Sequence, residues 1–148
     1  MNTDPFLIKA TAYCAHSEHC ESEVRLKLSQ WGLKDECEQN RIIAYLFQEH
    51  YLDCARYCKA FVNDKIKYQG WGKRKIRQML IMKNLPRQDI AKALTETDEQ
   101  LYQTTIERVL SQKYKTLSPD DPHRQDKLYR FALSRGFSYE DIEFFLAG

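Results

Sequence analysis

Apolar positions along the chain return three times with a period of 52 residues. Val24, Ile76 and Leu128 hold one equivalent position, and Leu28, Leu80 and Ala132 hold the next turn along. Each pair is followed by the same punctuation: Trp31-Gly32-Leu33, Lys83-Asn84-Leu85 and Arg135-Gly136-Phe137. Gly and Asn suit the left-handed position just past a helix end, so each stretch predicts a helix, a tight stop and a second helix. The second helices share Ile-x3-Leu, at Ile42 and Leu46, Ile90 and Leu94, and Ile142 and Leu146. Nine steps separate Leu33 from Ile42, against five in the other two copies, so the first copy carries four extra residues. Periods of this order describe arrays whose units bury an apolar face against a neighbour.

Extended into single elements, the pattern predicts nine helices. Asp4-Pro5 opens the first, with Phe6, Leu7, Ala10 and Tyr13 inward. Glu23, three after Cys20, sits where a capping-box acid belongs at the start of the second. The third, over 34–48, points Cys37, Ile42 or Ile43, and Leu46 inward. Asp53 caps a helix over 54–68 whose face is Cys54, Tyr57, Cys58, Phe61, Val62 and Ile66, and Gln69-Gly70-Trp71-Gly72 breaks it. The fifth begins at Lys73 and the sixth at Leu85-Pro86. Thr97 or Asp98 caps the seventh, and the run Ser118-Pro119-Asp120-Asp121-Pro122 is a turn before an eighth over 123–135. The ninth starts at Ser138 with Asp141 at its third position. No segment alternates with period two. The expectation is an all-α chain of three tandem three-helix repeats in an elongated, curved array, divided 1–52, 53–97 and 98–148.

Charge sharpens this picture. The net charge of +2 over 148 residues conceals a division. Residues 56–92 hold eleven Lys/Arg and two Asp/Glu, net +9, between flanks of −4 over 1–55 and −3 over 93–148. A localised field of that kind attracts nucleic acid or an acidic protein groove. No apolar run approaches the roughly 20 residues that span a bilayer. Met1-Asn2-Thr3-Asp4-Pro5 lacks the basic and apolar regions of a signal peptide, and five cysteines fit no disulfide framework. These point to the cytoplasm and away from membranes.

Candidate chemistry is sparse. Glycine-rich phosphate loops, nucleophile elbows and His-Glu-x-x-His helices are all missing from the sequence, so no catalytic residue and no cofactor is expected. Cys14, His16, His19 and Cys20 lie within seven residues, and Cys54-x3-Cys58 could add a pair. Cysteine is more often a small buried hydrophobe, and Cys54 and Cys58 share an apolar face with Tyr57 and Phe61, so no metal site is expected either.

Binding has a stronger candidate. In Lys65-Ile-Lys67-Tyr-Gln-Gly70-Trp71-Gly72-Lys73-Arg74-Lys75-Ile-Arg77, two glycines flank a tryptophan and three cations open a helix. Cations there oppose the helix dipole, so their charge is tolerated or used. A helix N-terminus with free N–H groups beside Lys and Arg suits phosphate or carboxylate. Trp71 either stacks on a base or an Arg, or fills the gap between the first two bundles. With Arg56, the expected binding set is Arg56, Lys65, Lys67, Trp71, Lys73, Arg74, Lys75 and Arg77. Arg124, Lys127, Arg130 and Arg135 offer a smaller second basic surface.

Taken together, these segments resemble the RecX family, bacterial regulators of the RecA recombinase. Four pieces carry the resemblance in order along the chain. They are Glu23-Val24-Arg25-x-Lys27-Leu28-x2-Trp31-Gly32; Tyr51-Leu52-Asp53-x2-Arg56-Tyr57-x3-Phe61-Val62; Gly70-Trp71-Gly72-x2-Lys75-Ile76-x3-Leu80; and Leu128-x2-Phe131-x3-Arg135-Gly136-Phe137-x4-Ile142. The chain departs from the family pattern at Cys20, where a capping Ser is usual, at Cys54 in place of an acid, and at Tyr57 in place of Phe. The resemblance implies three three-helix units, no enzymatic activity, and binding in the helical groove of the RecA–DNA filament, where such proteins modulate and usually inhibit ATP hydrolysis and strand exchange in DNA repair, recombination and the SOS response. It also implies some direct binding of single- or double-stranded DNA. A monomer is expected. The alternative reading is a helical module that binds DNA without a recombinase.

Overall fold

The computed structural model describes residues 4–148; Met1, Asn2 and Thr3, part of the segment judged unlike a signal peptide, lie outside the described residues. Every regular element in it is helical. In chain order the helices are α1 (Asp4–His16), α2 (Glu21–Gln30), α3 (Glu36–Gln48), α4 (Cys54–Asp64), α5 (Lys73–Met82), α6 (Arg87–Thr95), α7 (Glu99–Thr116), α8 (Arg124–Ser134) and α9 (Tyr139–Ala147). None is long and apolar enough to cross a membrane.

Local chemistry explains the boundaries. Asp53 accepts from the Arg56 N–H at 2.9 Å, Asp98 from Gln100 and Leu101, and Ser138 and Asp141 cap α9 reciprocally. At the stops, Gly32, Asn84 and Gly136 have φ of 106°, 65° and 95°, the left-handed geometry expected of them. The four extra residues of the first copy also find their place: one lengthens the turn before α3 and three lengthen α3 ahead of Ile42; with one more residue at its far end, α3 has 13 residues against nine in α6 and α9.

Equivalent positions are equivalently buried. Val24, Ile76 and Leu128 are fully enclosed, as are Leu28, Leu80 and Ala132. The core has two parts. Ala10, Val24, Leu28, Ile42, Ile43 and Leu46 form a cluster within α1–α3. A second, continuous cluster runs through α4–α9, takes in Cys20 from just before α2, and includes Val62, Ile66, Leu80, Ile106, Leu110 and Phe137. Polar contacts bridge the two. Glu18 pairs with Arg56, and Ser22 donates to the Lys83 carbonyl at 3.3 Å. The Glu23 carboxylate accepts from the Cys20 N–H at 3.0 Å, the Lys83 ammonium at 3.1 Å and the Tyr57 hydroxyl at 3.3 Å.

Two expectations fail here. Cys37 is exposed, and the inward position goes to Gln39, which donates to the Leu33 carbonyl at 2.8 Å and to Ser29 at 3.0 Å. A buried amide is tolerated when its donors are satisfied, and helical spacing alone does not reveal that. The helix expected over 54–68 changes character at Lys65: residues Lys65–Gln69 form a π-helical turn. The wider turn brings the Ile66 and Lys67 carbonyls to Thr105 and Arg108 of α7, side chains some forty residues distant in sequence.

Candidate functional site

The basic segment is shaped by close backbone packing. Gly70 takes φ 65°, and a Cβ there would lie 2.8 Å from the Val109 side chain. A Cβ on Gly72 would lie 2.2 Å from the Gly136 carbonyl carbon, and one on Gly136 2.4 Å from Lys75 Cβ. The absence of both lets the start of α5 press against the end of α8. There the Gly72 N–H donates to the Arg135 carbonyl at 2.8 Å, the Lys73 N–H to the Tyr102 hydroxyl at 3.0 Å, and the Arg74 N–H to the Gly136 carbonyl at 3.0 Å. The helix N-terminus expected to cradle phosphate therefore has its first two N–H groups, those of Lys73 and Arg74, taken by protein acceptors. What α5 offers a partner is its side chains.

Those side chains divide by environment. Trp71 is half-buried against the α4–α9 core, with the Lys75 ammonium 4.3 Å and the Lys65 ammonium 4.9 Å from its ring centroid. It packs and also organises two cations. Lys73 lies over Tyr102 at 4.7 Å. Lys67, on the π-helical turn, is exposed beside Tyr68, itself 69% exposed. Arg74 and Arg77 are exposed and make no ion pair among the described residues.

Arg56 belongs elsewhere: it pairs with Glu18 and donates to the His50 and Tyr51 carbonyls at 3.0 and 3.2 Å, tying α4 to the preceding helices. On the second basic surface, Arg124 stacks on Tyr114 at 3.7 Å, Lys127 pairs with Asp121, and Arg135 lies over Phe131 at 5.1 Å while donating to the Gln69 carbonyl. Arg130 is exposed without such a contact. The fold thus gathers Lys65, Trp71 and Lys75, keeps Lys67, Arg74 and Arg77 outward, and commits Arg56, Arg124, Lys127 and Arg135 to internal contacts. Tyr68 was missed by the sequence reading, although its flanking by Lys67 and Gln69 in a polar run was a signal of exposure.

Cys14, Cys54 and Cys58 are set up for packing. Burial pushes the Cys14 thiol up to about 11 and the Cys58 thiol up to about 12, and raises Cys54 as well. Thiols so shifted stay protonated near neutrality, whereas nucleophiles and metal ligands are thiolates. His19 stacks on Tyr13 with centroids 3.6 Å apart, while His16 is exposed. Among the described residues no group of three or more Cys, His, Asp or Glu side chains could hold a metal ion. A cleft of about 790 Å³ between α4 and α6 carries charges of both signs, Asp53, Asp89, Glu96 and Asp98 against Arg56, Lys59 and Lys92, and no Cys, His or Ser.

Residues 55–94 match the family model for the second three-helix domain of RecX, and residues 100–146 that for the third. A regulatory protein RecX from Pseudomonas entomophila (strain L48) is 32% identical, with 97% of this chain and 92% of that protein covered. One from Salmonella paratyphi A (strain ATCC 9150 / SARB42) is 30% identical over 93% of this chain and 87% of its own length. In three dimensions the chain is similar to the crystal structure of RecX from Lactobacillus salivarius, with a TM-score of 0.82 at 20% identity over 97% of this chain and 94% of that one.

Proposed function

The chain belongs to the RecX family of regulatory proteins, and from that premise we propose that it regulates the RecA recombinase, lying as a monomer in the groove of the RecA–DNA filament and restraining ATP hydrolysis and strand exchange in the cytoplasm. The observation that carries this reading is the outward set Lys67, Arg74 and Arg77 on the π-helical turn and α5, beside the Lys65–Trp71–Lys75 stack. These cations lie in the segment of net +9, and their charge is not consumed by ion pairs among the described residues. A filament of protein and DNA presents phosphates and carboxylates along a continuous groove, so a rigid helical body with one basic face suits it.

A second reading rests on Tyr68. An exposed ring with the Lys67 ammonium 5.3 Å from its centroid is able to stack on an unpaired base, and binding of that kind needs no recombinase. Co-sedimentation separates the two. The protein is spun with RecA in the presence and absence of single-stranded DNA and ATP, and with DNA alone. The regulator reading expects the protein in the pellet only when filaments form, and to a similar extent at moderate salt. Equal recovery on bare DNA, lost steeply with salt, would favour the DNA module instead.

A further inference from the structure

An open groove of about 560 Å³ separates α5 from the α8–α9 corner, with Arg74, Gln78, Met79, Met82, Leu133 and Tyr139 among its walls. Met82 is 71% exposed and Tyr139 58%, so the groove leaves two large apolar side chains in water. Tyr139 is braced by Tyr129, with ring centroids 5.9 Å apart, which fixes one wall. The opposite wall is α5, whose Met79 and Met82 are unbranched, polarisable and able to reshape around an incoming side chain.

Charge narrows the occupant. Among the described residues, the only formal charges lining this groove are the cations Arg74 and Lys75, and the Lys75 ammonium is already over Trp71. The larger cleft between α4 and α6 mixes four carboxylates with its cations, and so selects neither sign. A polynucleotide gains little from two thioethers, a leucine and one unpaired guanidinium. A helix with an apolar stripe gains on both counts: its side chains at i, i+3 or i+4 seat between α5 and Tyr139, and its flanking carboxylates meet Arg74 bidentately.

We propose that this groove docks an acidic amphipathic helix of a partner protein. The inference rests on the reading above in taking the partner to be a protein, and its test lets the two fail separately. A fluorescein-labelled peptide of about 18 residues, long enough to populate a helix, carries Leu at i, i+4 and i+7 with Glu at the flanking positions. Its twin has Lys for every Glu. With the full chain, anisotropy is expected to rise to saturation for the Glu peptide and to show no binding of the Lys peptide. The double variant Met82→Ser/Tyr139→Ser should bind the Glu peptide about tenfold more weakly or worse, the loss that 1.4 kcal/mol represents.

Arg74→Glu provides a second variant at an exposed position, and should weaken the Glu peptide while admitting the Lys peptide. No binding of the Glu peptide, equal binding of both peptides, unchanged affinity in both variants, or displacement of the peptide by a single-stranded oligonucleotide each overturns the proposal. Co-sedimentation of the unsubstituted chain with RecA filaments, run alongside, reports on the regulator reading independently of the peptide result.

Discussion

Leu80 sits at 0% exposure in the α4–α9 core, one turn beyond Ile76, and the 52-residue pattern marks it as its unit's central residue. Leu80→Ala should lower stability by about 2–5 kcal/mol, the range for emptying a packed leucine site, as read by urea unfolding. The charged residues were less legible. Arg56 and Arg74 both stand early in a helix of the basic segment, yet Arg56 meets Glu18, 38 residues away, and two carbonyls, while Arg74 faces solvent. Nothing local to either residue encodes that difference. Arg56→Ala is therefore expected to lower the melting temperature, whereas Arg74→Ala should stay within about 0.5 kcal/mol of the unsubstituted protein. If the two variants melt alike, the assignment of Arg56 to contacts that tie α4 to the preceding helices is wrong.

Helices and their stops were legible because their causes are local: an Asp or Ser before the first turn, a Gly or Asn after the last, apolar spacing between. Contacts between elements were not, because each needs a partner from another repeat. The start of α5 shows this. Its sequence promises an open N-terminus, and the N–H groups of Gly72, Lys73 and Arg74 are taken by Tyr102 and the Arg135 and Gly136 carbonyls. Gly72→Ala should therefore unlatch α5 from α8 and destabilise the fold by more than about 1 kcal/mol, since the backbone facing its Cβ cannot yield as a side chain would; thermal unfolding by circular dichroism measures it.

The contacts around Glu23 make a second element-scale prediction. Burial raises this carboxyl, but the Cys20 N–H and the Lys83 ammonium outweigh burial and hold it below the usual carboxylate range. A depressed folded-state value means that the unfolded chain takes up the proton first, so this stabilisation is complete above about pH 4.3 and is lost as pH falls through the depressed value. Acid titration of stability should show that loss, and Glu23→Gln should flatten it.

At the scale of the whole molecule, an α1–α3 cluster is joined through buried Cys20 and polar contacts to a single α4–α9 core, and the positive charge concentrates where α4, the π-helical turn and α5 meet. The repeat made the all-helical architecture readable from spacing alone. The merging of the second and third apolar clusters was hidden in the Gly72–Gly136 approach, which involves two residues without side chains. The central claim is that the outward cations of this region engage the recombinase filament, and its most direct test is the single-stranded-DNA-dependent ATPase of RecA titrated with the Lys67→Glu/Arg74→Glu/Arg77→Glu variant. These three positions are preferable to Lys73 and Lys75, whose ammonium groups lie over Tyr102 and Trp71. The account predicts an unchanged melting curve and a half-maximal inhibitory concentration raised about tenfold or more; inhibition at the same concentration as the unsubstituted protein, with the fold intact, would contradict it.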